Sequence, residues 1–577
     1  MSASLALSFP RVPRRLVPRP RLLRRLDRLA DVTIIEALPG YGKRTLTGSW
    51  VTGLQRAGTR VVWVRATADV DGPDPFLSLL HRALQHAGLL GGPVPTPRPA
   101  ESELPGWVRQ LTRSAVPIVV VVEHAQLLRD SAVTDVLARL VRMVHPLHLV
   151  VLAECGQGFQ AAAARHGLET NVLRADDLAI TPDELVRYAE AWGHQLSTDT
   201  AHLLHELVGG WLLPMRLVLD ATPAWADELA THAADEFLHQ QVLAHLDEDQ
   251  TLAAALPLAV PERLTITLAA AALAEEGPAG ASDHPVIEAM NCRGLIWRVP
   301  RQNGEAEWQM PALVRRVLLG ELGRRDPDLQ RSAHRQVARA LAATSDGAAR
   351  RELLRHARAA EDWAALARLW SHEGWPMLEG EPEGFSVAFT AIPSEAHDQH
   401  PVLMLAESLA DALHATTDEE SRVETLLRHY MRVGSAFLEH PAGVEDHGQL
   451  AHLLTAGMVV RRTEGRLDDA RRLAAEADHH FARARAAQSR HLGPEHSAWL
   501  HLQWSLVELQ DGRLGPALHR AVTGHEIAPR GVVGASCAGL VAALHALGGE
   551  AQEAGKWLES HDASDLHHHW CYALAGL

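Results

Sequence analysis

Lysine is almost absent from this chain: Lys43 and Lys556 are its only two, and the other 53 of its 55 Lys and Arg side chains are arginine. Cysteine is nearly as scarce. Cys155, Cys292, Cys537 and Cys571 are scattered with no CxxC pair, so the spacing suggests neither a disulfide framework nor a zinc site and reads as four small buried hydrophobes. No apolar run approaches the roughly 18 residues that a membrane helix requires. Excess positive charge is missing too. A formal net charge of -16 excludes a surface that coats nucleic acid, because phosphate neutralisation needs clustered cations. The expectation is a cytoplasmic protein without membrane contact and without direct DNA binding.

The main cationic cluster runs from Arg11 to Arg28, with arginines interleaved among prolines and leucines and only Asp27 opposing them. It reads as a lead-in segment, residues 1–30, that packs its leucines and solvates its arginines. A targeting signal does not fit, since the short apolar stretch precedes the charges and no cleavage-like site follows. Histidines 567, 568 and 569 are adjacent, so on a helix they point in different directions and cannot converge on one ion.

At 577 residues the chain exceeds what one hydrophobic core supports. Its first part alternates short branched apolar runs with helical stretches, the pattern of a parallel sheet flanked by helices. The expected strands are Val32–Glu36, Arg60–Arg65, Ile118–Val122 and Leu147–Ala153, with a Gly/Pro-rich surface loop from Gly91 to Pro105. Thr181-Pro-Asp-Glu184 opens a helix, with a capping threonine, proline at the first helical position and early acids, and a helical lid follows. Between residues 236 and 325, helices precede Gly294–Val299, a polar turn from Arg301 to Glu305, and Ala306–Met310. That order is a β-hairpin after helices, a winged-helix-like unit with nothing basic facing outward. From 326 to 577 the chain is Ala-, Leu- and Arg-rich. Gly465 precedes Ala470, Gly512 precedes Ala517 and Gly549 precedes Ala554, a loose repeat that fits tetratricopeptide-like helix pairs. An ordinary helical bundle remains the other reading. The fold class expected is thus an α/β P-loop NTPase domain (residues 31–235, with its lid), a winged-helix-like unit, and an all-α helical-repeat (TPR-like) region.

The chemistry concentrates in Ala37-Leu-Pro39-Gly40-Tyr41-Gly42-Lys43-Arg44-Thr45, between a strand and a helix, where a GxxxxGK[ST] phosphate loop belongs. Main-chain N–H groups of such a loop and the helix N-terminus point at an anion, and the lysine meets terminal phosphates. In a chain with two lysines, Lys43 at this position is a specific signal. Two departures change the chemistry. Ala37 replaces the first glycine. Arg44 stands where a Ser or Thr hydroxyl coordinates Mg²⁺, and Thr45 is rotated one helical step, about 100°, away. After Ile118–Val122 come Glu123 and His124. Glu123 can reach a metal-bound water, and His124 would have to act as the base. The expected ligand is ATP or ADP, with Mg²⁺ left only Glu123 through water, and hydrolysis slow or absent. An active ATPase that recovers the metal through Thr45 and Glu123 is the alternative, and a helical adaptor with no nucleotide is another.

These residues resemble the ATP-binding module of the large LuxR-type regulators, the group of the maltose-regulon activator within the STAND signalling ATPases. The resemblance runs through Leu16–Asp27, Ala37–Leu46, Val61–Val64, Asp71–Pro75, Arg174–Leu178, Thr181–Glu184 and Gly209-Gly-Trp211, covering roughly residues 16–325. It implies a switch: an ADP-bound resting form yields, when a protein or small-molecule inducer binds the helical sensor, to an ATP-bound form that self-associates. The family's arginine for the γ-phosphate is replaced by Glu154-Cys155, and the proline after its Gly-Trp pair by Leu212. No LuxR-type helix-turn-helix opening is found before Leu577. The expectation is a shortened regulator that acts through a partner, or an incomplete reading frame.

Overall fold

The computed structural model describes residues 9–13, 15–67, 70, 72–91, 104–221, 236–240, 253–274, 284–299, 306–343, 347–415, 419–440, 444–487 and 493–559. The chain divides into two compact units, residues 1–330 and 331–577. Most of the Gly91–Pro105 loop, the Arg301–Glu305 turn, the run of three histidines and Cys571 lie outside the described residues.

In the first unit, helix α1 (Pro20–Leu26) leads into β1 (Val32–Glu36), α2 (Lys43–Arg56), β2 (Arg60–Arg65), α3 (Pro73–His86), α4 (Leu104–Leu111) and β3 (Ile118–Glu123). Then follow α5 (Ser131–Met143), β4 (Leu147–Ala153), α6 (Gln157–Arg165), β5 (Thr170–Leu173), α7 (Ala175–Leu178), α8 (Pro182–Trp192), α9 (Thr198–Val208) and α10 (Leu212–Ala221). The five strands form one parallel sheet in the order β2-β3-β4-β1-β5. All residues of β1 and β3 are buried, as expected where helices cover both faces. The β4 strand lies between the phosphate-loop strand β1 and the acid-bearing strand β3, so the ends of all three converge on one side of the sheet. The expected strands appear within one residue of their expected ends; β5, with its polar Thr170 and Asn171, is an addition.

Helix α8 begins as its sequence dictates, with the Thr181 side chain and Glu184 forming a reciprocal capping box and Pro182 at the first position. The solvated lead-in expected for the arginines is corrected by the structure. Arg19 donates to the carbonyls of Leu178 and Ala179, both at 2.7 Å, and to Glu184 at 2.9 Å. Arg21 reaches Asp177 O, Ala179 O and Glu184, and Arg25 reaches Asp177 and Val172 O. The cause is the chain at 172–184, which presents orphan carbonyls at the end of α7 beside two acids, a counterpart the arginines satisfy. Burial alone would raise the Glu184 carboxyl, but Arg21 and Arg19 outweigh it and hold it below the ordinary range.

Strands β7 (Trp297–Val299) and β8 (Glu307–Gln309) form the expected antiparallel hairpin, and β6 (Leu264–Thr265) adds a third strand in the order β6-β8-β7. Helices Ile266–Ala272, Pro285–Arg293 and Ala312–Arg325 complete this part. Arg298 is exposed, contrary to the expectation that nothing basic faces outward: it stands opposite the buried Trp308 on the edge strand β7, where a long side chain reaches solvent.

In the second unit, the helices His447–Thr463 and Leu467–Ala487 join at Gly465, Pro494–Gln510 and Leu514–Ile527 at Gly512, and Gly531–Leu547 and Ala551–Glu559 at Gly549. The three glycines sit at φ +74°, +73° and +82°, which end one helix and turn the chain back. Ala470, Ala517 and Ala554 are buried where the paired helices approach closely. The repeat in the sequence is a repeat of helical hairpins.

Candidate functional site

The phosphate-loop segment leaves β1, turns through Gly40 (φ +93°) and Gly42 (φ +83°), and enters α2 at Lys43. Gly42 supplies no capping side chain and the first turn of α2 carries no acid, so its leading N–H groups are available to an anion with the helix dipole behind them. Gly40 is required by space as well as by φ. A Cβ there would lie 2.8 Å from Trp211 Nε1 and 2.9 Å from Leu213 Cβ. Trp211 Nε1 donates to Pro39 O at 2.9 Å and Leu213 N donates to Gly40 O at 3.1 Å, so the segment after α9 clamps the loop from outside.

Lys43 is folded along the loop, its Nζ donating to Ala37 O at 2.5 Å and Leu38 O at 3.1 Å. Burial lowers its pKa to about 8, while Glu154 and Glu123 pull in the opposite direction. The ammonium is therefore charged at neutral pH and aimed inward.

Glu123 ends β3 with a side chain only 5% exposed. Trp63 Nε1 donates to its Oε2 at 2.9 Å and Arg65 Nε at 3.3 Å. Residues 63 and 65 share a face of β2 by the period of two, and Arg65 is registered beside Glu123. Arg44 Nε lies 3.3 Å from Oε1, and His124 Nε2 lies 3.6 Å from the same oxygen. Burial would raise the carboxyl, yet His124, Trp63, Arg44 and Arg65 hold it down to about 2. His124 itself takes a left-handed conformation, φ +60°, a region that His, like Asn and Asp, enters more readily than most residues.

Lys43, Arg44, Thr45, Glu123 and His124 line one cavity of about 920 Å³, together with Pro39, Gly40 and Gly42. That volume suits a nucleotide-sized ligand. Apolar residues Val17, Ile180, Trp192 and Leu212 also line it, together with the charged Arg19, Glu184 and Arg216, the last stacked on Trp192 at 3.4 Å. Tyr41 departs from the expected set. Its side chain is buried outside the cavity, stacked on Trp211 with centroids 5.0 Å apart and donating to Gly294 O at 2.8 Å, so only its main chain can face a phosphate. The motif tolerates any residue there, which is why the spacing alone did not show a packing role. Trp63 and Arg65 were not picked out from the sequence either, although a basic residue closing a buried strand beside an acid-ended one is a readable sign.

The donor set fits a nucleotide's phosphates: a cation, two positive-φ glycines and an uncapped helix start. It does not fit Mg²⁺. Where the hydroxyl would ligate stands a guanidinium, and the carboxylate that would hold the metal's water shell has its oxygens paired with two arginines and an indole N–H. Glu154, at the end of β4, accepts from Gln126 Nε2 at 3.2 Å and lines the same cavity.

No family model matches the chain. Over 427 residues, 70% of this chain, it is 23% identical to the HTH-type transcriptional regulator MalT of Vibrio cholerae serotype O1 (strain ATCC 39315 / El Tor Inaba N16961). The match covers 46% of that protein, so the chain spans about half the length of this curated relative. Among solved structures, the STAND protein with a tetratricopeptide repeat sensor from Pyrococcus horikoshii aligns over 96% of this chain and 83% of its own, with 10% identity and a TM-score of 0.38. A Walker-type ATPase of Pyrococcus abyssi aligns over 54% and 98%, with 12% identity and a TM-score of 0.40. No described helix is long and apolar enough to cross a membrane.

Proposed function

We propose that this chain is a regulatory protein that binds ATP or ADP through the main chain of residues 39–45 and Lys43, with no magnesium anchor and little or no hydrolysis. The helical unit senses an inducer or a partner protein, and the output is transcriptional regulation exerted through other chains, self-association included. The weak similarity to a transcriptional regulator supports the last step. The observation that carries the reading is the charge arrangement at the loop: Lys43 held inward, and Arg44 paired with Glu123 where a metal would otherwise join them.

Calorimetric titration of ATP and ADP tests it. Affinity should be the same within about threefold with Mg²⁺ or with chelator, and Lys43→Ala should weaken it by about tenfold or more, 1.4 kcal/mol per decade. Binding indifferent to Lys43→Ala overturns the reading. Replacing Arg44 by threonine should make affinity magnesium-dependent, because it restores a ligating hydroxyl and frees one side of Glu123. Steady-state phosphate release above that of a Glu123→Gln variant would instead establish an active ATPase. Thermal stability unchanged by either nucleotide would point to a helical adaptor, since a ligand that does not bind the native state cannot stabilise it.

A further inference from the structure

Cys155 and Cys292, 137 positions apart in sequence, meet behind the phosphate site. Cys155 follows β4 at the turn into α6, one residue past Glu154 of the cavity. Cys292 belongs to the helix Pro285–Arg293 of the winged-helix-like part. Their sulfurs and a Glu36 oxygen lie within 4.8 Å of one another. The Glu36 carboxylate is already committed, to Gly156 N at 2.8 Å, Arg174 Nε at 2.9 Å and Gln160 at 3.3 Å. Only the two thiols remain to react.

We propose that Cys155 and Cys292 are a reversible dithiol/disulfide pair that, when oxidised, ties the nucleotide-binding sheet to the winged-helix-like part. Bond formation at about 2.05 Å asks each sulfur to move by about 1.4 Å at most. Accessibility sets the order of events. Cys155 is half-buried and Cys292 is buried, so an oxidant meets Cys155 first. Contact with the Cys292 S–H holds the Cys155 thiol below its ordinary range against the opposing effect of burial, and a main-chain hydrogen bond from Gln157 adds to it. With hydrogen peroxide as oxidant, the Cys155 thiolate attacks the O–O bond and becomes a sulfenic acid, releasing one water. The Cys292 sulfur then displaces the hydroxyl, forming the S–S bond and a second water. Two thiols lose two protons and two electrons, and the peroxide gains them.

The test uses the full chain treated with hydrogen peroxide, alkylated, and digested with trypsin without reductant. The expected product is a linked pair of the peptides 143–165 and 264–293, two hydrogens lighter than their sum and separated by dithiothreitol. It forms whether or not nucleotide binds, so its failure is distinct from failure of the nucleotide reading. Cys155→Ser should abolish the linked pair and leave Cys292 unmodified. A hyperoxidised Cys155 with Cys292 still alkylatable overturns the proposal. So does a stoichiometric zinc ion in the untreated protein, released on thiol blocking, which would make the pair a metal site.

Discussion

Acid should loosen the core of the helical unit well before its carboxylates titrate. His452 and His496 are both buried there, their rings 4.2 Å apart and packed edge-on, with Trp370 and Phe481 around them. Burial lowers the His452 pKa to about 4, opposed by its contact with Ser371 O and reinforced by His372. Burial and the neighbouring His452 push His496 well below its ordinary value. In the unfolded chain both titrate near 6.5. Between about pH 6.5 and 4 the unfolded state therefore binds more protons, and stability falls as pH falls. Above about pH 7 both rings are neutral in either state and the slope vanishes. At about 1.4 kcal/mol per unit, His452 alone removes about 2 kcal/mol by pH 5 and about 3 kcal/mol by pH 4. His496 acts in the same direction over the same window. Against a total of 5–15 kcal/mol that loss is large. Hydrogen exchange of peptides within 447–510, corrected for intrinsic rates, reads it locally, and stopping at about pH 5 keeps most carboxylates ionised. His496→Leu should flatten the acid slope. Equal protection at about pH 7.5 and 5, or a slope unchanged by that variant, refutes the reasoning.

Three other outcomes follow from single contacts. Because Lys43 titrates near 8, nucleotide affinity in a pH series should be flat from about 6 to 7.5 and then fall by at most tenfold per unit above 8, a decline that is absent in Lys43→Ala. Glu154→Arg should strengthen ATP binding more than ADP binding by roughly 1–3 kcal/mol in calorimetry, since it exchanges a carboxylate for a cation at the phosphate end of the cavity. Gly294→Ala places a Cβ 2.2 Å from Ala175 Cβ at φ +77°, and denaturant melts should show a loss of about 2–4 kcal/mol.

Sequence alone placed four strands to within a residue because Val32–Glu36, Arg60–Arg65, Ile118–Glu123 and Leu147–Ala153 are short apolar runs between turn residues, the pattern of a strand covered on both faces. The fifth strand, Thr170–Leu173, escaped notice because it is a half-exposed edge whose polar residues break the pattern. The α8 start and the glycine turns of the helical hairpins were readable for a related reason: each is decided by residues within one turn of chain. What was hidden lay far apart in sequence. Arg19, Arg21 and Arg25, at the start of α1 and within it, find their acids and carbonyls about 150 positions later, and Cys155 finds Cys292 across 137. Composition suggested solvated arginines and isolated thiols, and only the fold brings the partners together.

The same distinction explains the candidate phosphate site. The motif gave the place of Lys43 and the substitution at Arg44, but not the consequence for Glu123, which depends on two neighbours contributed by β2. With Trp63, Arg65 and Arg44 around it, the carboxylate is a fixed internal anion, and at a pKa of about 2 it is a weak proton acceptor. A guanidinium tethered to α2 stays when nucleotide leaves, whereas a metal ion departs or exchanges. The Arg44 cation beside Glu123 is therefore constant, and at a given pH the charge that varies is the one a bound ligand brings. Under the proposed reading, a module built this way responds to whether nucleotide is bound and how many phosphates it carries against Glu154, with no need for bond cleavage to reset it.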